Sequence, residues 1–157
     1  MRNQRGFSLI ELLIVVAILL ILATIAIPSL MRARMRANEA DAVAALRVIH
    51  TSAVAYSTTY PDMGYPATLA TLGGVNPCTA ASTQACLIDD MLAQGYKSGY
   101  NFVWTGDGLI PSFGFFLTGT PQVVGTSGQN MFCMDQSGVI RYNGTGSGCT
   151  STSQAFN

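Results

Sequence analysis

Few residues in this chain are equipped for chemistry, and their spacing narrows what they can do. One histidine, His50, stands beside four cysteines, Cys78, Cys86, Cys133 and Cys149. With a single imidazole no convincing Ser-His-Asp or Cys-His set assembles, so an enzyme is not expected. The cysteines contain no C-x-x-C and match no common zinc spacing, which favours disulfides formed in an oxidising compartment. The glycines at 144, 146 and 148 lie in a tail that opens no helix, so they form no phosphate cradle, and neither a metal nor a cofactor is expected. Glu11 is the anomaly, because it is the lone charge in an otherwise apolar run over residues 7–27. A carboxylate near the middle of a membrane helix costs roughly 2.5–3.5 kcal/mol, so such a residue implies a function and a partner.

The element that must carry Glu11 is a helix. Spread over about 25 residues, it reaches some 37 Å, enough to cross a hydrocarbon core of about 30 Å. A secretory signal peptide is excluded by a run longer than an h-region of about 7–15 residues and by the lack of a small-x-small site after it. A plain membrane anchor accounts for the length but not for Glu11, nor for Gly6 immediately before Phe7.

The sequence Arg5-Gly6-Phe7-Ser8-Leu9-Ile10-Glu11-Leu12-Leu13-Ile14-Val15-Val16-Ala17-Ile18 resembles the N-terminal cleavage and methylation motif of type IV pilins and of type II secretion pseudopilins. The resemblance covers about the first thirty residues. It implies that Gly6 ends a leader over residues 1–6, cut on the cytoplasmic side by a prepilin peptidase that also methylates the new N-terminus, Phe7. Glu11 then becomes the fifth mature residue. A carboxylate there suits the α-amine of Phe7, either on its own chain across one helical turn or on a neighbouring subunit. The residues alone leave both open; the resemblance favours the neighbour, where the pair would set axial register in a growing filament.

The 157 residues suit one domain, and a net charge of zero argues against a general nucleic-acid binder. Charged residues amount to only 10%, against roughly 25% in ordinary soluble proteins, as often found in exported surface proteins. Arg2 and Arg5 precede the span while Arg32, Arg34 and Arg36 follow it, so charge does not set the orientation. The resemblance does, with the N-terminus cytoplasmic. Pro28 lacks an N–H and crowds the carbonyl of Thr24, so a kink or a locally opened helix is expected there. In related filaments this part of the helix is partly unwound.

Beyond it, Arg32, Arg34, Arg36, Glu39, Asp41 and Arg47 read as a polar collar at the membrane surface. Val43, Leu46, Ile49, Ala53, Tyr56 and Tyr60 recur at steps of three and four, the stripe of an amphipathic helix. Helix is therefore expected over 7–60, ended by Pro61, Gly64 and Pro66. His50 sits beside the stripe as a packed or half-exposed residue. A connecting loop follows, with a short helix over 86–93 stopped by Gly95. Runs at 100–105, 113–118, 130–135 and 139–143 read as strands. Phe102, Trp104, Phe115 and Phe132 are the candidates for the face that covers the helical stripe.

The expected fold is α+β: a long N-terminal helix, its first half membrane-spanning, packed through its second half on a four-stranded antiparallel sheet. In the pilin fold that the resemblance implies, residues 7–30 form the filament-core helix and 31–157 the head. Four cysteines permit three pairings by sequence alone. The places of the cysteines in this inferred fold favour Cys78 with Cys86 and Cys133 with Cys149, the latter where many pilins close a C-terminal loop. Asp107 and Asp135 only vaguely resemble the calcium aspartates of major pseudopilins, and Asn143-Gly144-Thr145 is a formal glycosylation sequon expected by chance.

The function implied is a structural subunit of a helical pilus filament. Its partners would be identical subunits, the peptidase, an inner-membrane assembly platform and, before assembly, the membrane, with no specific nucleic acid. The alternatives are a type II secretion pseudopilin, a minor pilin, or a membrane-anchored enzyme or binding module. Localisation is expected in the inner membrane as precursor, head outside, then in a surface pilus.

Overall fold

A computed structural model describes residues 7–75 and 77–156. Its dominant element is α1, Leu9–Thr59, whose first hydrogen bond runs from the Leu12 N–H to the Ser8 carbonyl. Helix was expected from Phe7, which instead precedes it. The helix passes unbroken through Pro28, so the local opening expected there is absent. The Thr24 hydroxyl donates to the carbonyl of Ile21, one turn back (2.7 Å). The helix ends where Pro61 can no longer donate, and Gly64 closes the turn with its N–H on the Tyr60 carbonyl (3.1 Å). Gly64 has φ +71° and a Cβ there would collide with the backbone of Ser112, so no other residue fits comfortably.

Met35–Asn157 forms one compact unit. Its sheet has six strands in chain order, each antiparallel to the last: β1 Tyr96–Lys97, β2 Tyr100–Gly106, β3 Phe115–Pro121, β4 Met131–Asp135, β5 Arg141–Asn143 and β6 Gln154–Ala155. Four strands were expected, and the four runs are present as β2 to β5. The additional pair are two-residue edge strands, too short to show alternation in sequence. β1 joins β2 through Ser98 and Gly99, both at positive φ (49° and 76°), the geometry of a tight two-residue hairpin. β6 is held by the Phe156 N–H on the Ile140 carbonyl (2.8 Å) and by the Phe156 ring, edge-on to Phe132 at 5.5 Å.

Two further boundaries differ from expectation. The helix expected over 86–93 is confined to α3, Asp90–Ala93. Before it, the N–H groups of Ala85, Cys86, Leu87 and Ile88 donate to the carbonyls of Thr71, Gly73 and Leu72, and Asp89 caps the helix by accepting from Leu92 (2.9 Å). Those carbonyls belong to or follow a second short helix, α2 Leu69–Leu72, that the sequence reading did not foresee.

The core lies between the second half of α1 and one face of the sheet. Val43, Leu46, Ile49, Ala53 and Tyr56 are buried, as the stripe required, with Tyr60 half-buried beside them. From the sheet come Tyr100, Phe102, Phe115, Leu117, Phe132 and Met134. Trp104 stacks on Phe115 at 4.1 Å and donates its indole N–H to the Pro66 carbonyl (2.9 Å). Burying a side chain of this size is worth about 1.5–3 kcal/mol, so the helix is the principal partner of the sheet.

Candidate functional site

The N-terminal part of α1 is apolar on every side. From Leu9 to Leu22 nothing is buried, and Leu9, Leu13, Leu20 and Ile25 are 80%, 61%, 63% and 73% exposed. A helix that is hydrophobic all round requires either lipid or other helices around it. Each large side chain is worth about 1.5–3 kcal/mol once removed from water, so the run as a whole represents tens of kcal/mol. By length and composition it suffices to cross a membrane.

Glu11 falls in the first turn of this helix. There the amide N–H groups have no helical partner and the helix dipole favours a negative charge. Ser8 precedes the first helical residue, and Ser8-x-x-Glu11 is the spacing of a capping box, a local use of Glu11 that the sequence reading missed. Phe7, four residues before Glu11, is 78% exposed. Gly6, the residue at which cleavage is expected, lies outside the described residues.

Further along α1, residues read as a collar act as clamps. Asn38 donates to the Ser127 carbonyl (2.9 Å), and the Glu39 carboxylate accepts from the N–H groups of Gln129 (2.8 Å) and Asn130 (3.0 Å). Asp41 accepts from the Ser98 hydroxyl (3.1 Å). Only Arg32, Arg34, Arg36 and Arg47 remain exposed as the collar reading has it. Tyr100, whose hydroxyl donates to the Asn130 carbonyl (2.8 Å), has its pKa raised by burial and then by the charge of Glu39. The clamp is invisible in sequence because its partners lie about 90 residues apart.

Elsewhere the charged groups are structural too. Asp107 accepts from the N–H groups of Leu109 (3.1 Å), Phe113 (2.8 Å) and Gly114 (3.1 Å). These bonds hold its carboxyl below the ordinary 3.8, and they delay the start of β3 from the expected residue 113 to Phe115. Asp135 accepts from the N–H of Ser137 (2.9 Å) in the β4–β5 turn, and its carboxyl is likewise lowered, first by the Ser137 hydroxyl. Neither aspartate is joined with other ligand-type side chains into a metal-sized cluster among the described residues. His50 packs its ring by Phe115 at 6.1 Å with Nε2 near the Gln136 carbonyl (3.4 Å), a packing role. Disulfides join Cys78 to Cys86 and Cys133 to Cys149, with Cα separations of 6.1 and 5.9 Å. Asn143 is tied down by accepting from the N–H of Thr145 (3.0 Å).

Residues 1–27 match the family described as the prokaryotic N-terminal methylation motif. The chain is similar to the type IV wide pilus major component PilA4 of Thermus thermophilus, with 64% identity over 39 residues, 25% of this chain and 30% of that protein. It is also similar to the type IV major pilin protein PilA of Myxococcus xanthus, with 46% identity over 50 residues, 32% of this chain and 23% of that protein. The chain thus spans less than a third of the length of the curated relatives it matches. No solved structure matches it. The resemblance to type IV pilins therefore rests on the methylation motif and the helix that follows it.

Proposed function

We propose that this chain is a structural subunit of a type IV pilus-like helical filament. The observation that carries the reading is a methylation motif over residues 1–27 opening directly onto a helix with no buried face. Before assembly, lipid covers that helix; in the filament, the helices of neighbouring subunits do. A peptidase cuts after Gly6 and methylates the amine of Phe7, with the N-terminus cytoplasmic and the head outside. In the filament core the carboxylate of Glu11 accepts hydrogen bonds from the amine of Phe7 on a neighbouring subunit. Such a pair, out of water, is favourable only when geometry is good, so it selects one axial register rather than adding bulk stability. Lipid exposure is exchanged for helix packing, and external work drives the subunits out of the bilayer. No catalytic step is assigned to the chain.

The test joins two measurements. Mass spectrometry of sheared surface filaments should find a subunit beginning at Phe7 and heavier by one methyl group. Glu11→Ala should leave the precursor in the membrane, where loss of a lone charge eases insertion by about 2.5–3.5 kcal/mol, yet block its entry into filaments. Filaments of normal yield from Glu11→Ala cells would overturn the pairing, and a chain that retains Met1 would overturn the processing.

A further inference from the structure

The compact unit Met35–Asn157 carries large apolar side chains in water at two places, and α1 fixes how far apart these lie. Asn38 and Glu39 hold the loop that follows β3, where Val123 and Val124 are 57% and 49% exposed. The opposite end of the same helix runs into Met63, whose carbonyl accepts from the N–H of Ser112 (2.9 Å), while Tyr65 donates to the Ser112 carbonyl (3.0 Å). That second loop presents Leu109, Ile110 and Phe113 beside Met63, with Ile110 78% exposed. From Glu39 to Thr59 the helix rises about 30 Å, so one patch stands at each end of the unit.

Both patches are built rather than loose. Asp107 pins the distal loop through its three backbone acceptor contacts. The near loop is closed by Val123 N–H on the Ser127 hydroxyl (3.0 Å) and Gly125 N–H on the Gly128 carbonyl (2.8 Å). A preorganised apolar surface gives up little entropy on docking, which is what distinguishes it from a floppy loop with stray hydrophobes.

We infer that these two patches dock on one another between successive copies of this chain, the distal loop of one copy against the Val123–Val124 loop of the next. Charge selects this partner over a second distal loop. Asp62 and Asp107 flank the distal patch, so a tip-to-tip pair would bring like charges together. Arg36 is exposed at the near end, whereas Glu39 and Asp41, at that end too, are engaged with Gln129, Asn130 and Ser98 of their own chain. Among the described residues neither Arg36 nor Asp62 has an oppositely charged partner within an ion-pair distance. The contact joins unlike surfaces, so it propagates instead of closing into a dimer. It rests on the filament reading and names a second, head-borne contact within it.

The photo-crosslinking residue p-benzoylphenylalanine, placed at position 110 of the full chain in cells that assemble it, tests this contact. Irradiation should give a ladder of covalent oligomers whose joined peptides link position 110 to residues 123–126 of a second copy. Arg36→Glu should lower the ladder yield about threefold, the scale of one exposed ion pair. Asp62→Arg added to the same chain should restore it. Non-reducing peptide mapping, which should find both disulfides in every variant, serves as the folding control. Cross-links confined to one chain, to another face of this chain or to another protein would overturn the contact. If sheared filaments contain the chain but no such link forms, the contact fails and the filament reading stands. If the link forms while the chain is absent from filaments, the filament reading fails and the contact stands.

Discussion

Asp107 and Glu39 show how a carboxylate can organise backbone that no strand or helix satisfies. Each accepts from N–H groups of a loop, and in each case removal of the charge leaves donors without a strong acceptor. Because its folded pKa lies below the ordinary 3.8, Asp107 contributes stability that is fully present above that value and is lost as pH falls through the lower, folded value. Acidification below about pH 3.8 should therefore speed amide exchange at Leu109, Phe113 and Gly114, and Asp107→Asn should reproduce the effect at neutral pH. Amide exchange read residue by residue checks both. Unchanged protection of these three amides in Asp107→Asn would show that the Ser112 contacts alone hold the loop. At this scale the sequence revealed Glu11, since a lone charge in an apolar run stands out locally. Glu39 gave no such signal, because a carboxylate among arginines looks solvated until the fold brings Gln129 and Asn130 to it.

Among the elements, helix and sheet were legible to different degrees for a physical reason. The stripe from Val43 to Tyr56 repeats often enough for its period to be read, and all five of its main members are buried. Strands β2 and β4 carry aromatic runs and were found nearly in place, whereas β1 and β6 draw their order from a turn and from the Phe156 contact. Leu46, fully buried on the helix, offers the cleanest test of the packing. Leu46→Ala should destabilise the head by about 2–5 kcal/mol in denaturant titration of the full chain in detergent. The Cys133–Cys149 bridge ties β4 to the segment leading into β6, across a sequence separation of 16. Replacing both cysteines by alanine should cost about 3 kcal/mol in the chain-entropy model, read as a fall in the thermal midpoint. A loss well under that value would mean that Phe156 already anchors the tail.

The whole chain divides its labour between two units that answer to different solvents. The apolar helix has no core of its own, while Met35–Asn157 buries a full one. A fragment of Met35–Asn157 should therefore remain in aqueous solution, form both disulfides and unfold cooperatively; circular dichroism and peptide mapping would show it. Aggregation with scrambled bridges would mean that the head depends on the membrane segment to fold. Sequence had marked this division through composition, but the six strands in strict chain order were not foreseen. That ordering bears on delivery. Every strand pairs with the one that crosses the membrane immediately before it, so the sheet can lengthen one hairpin at a time as polypeptide emerges, with no early strand left waiting for a late one except at its growing edge. The final two-residue strand and Phe156 come last and cover that edge, so translocation finishes at the moment the unpaired rim of the sheet is sealed.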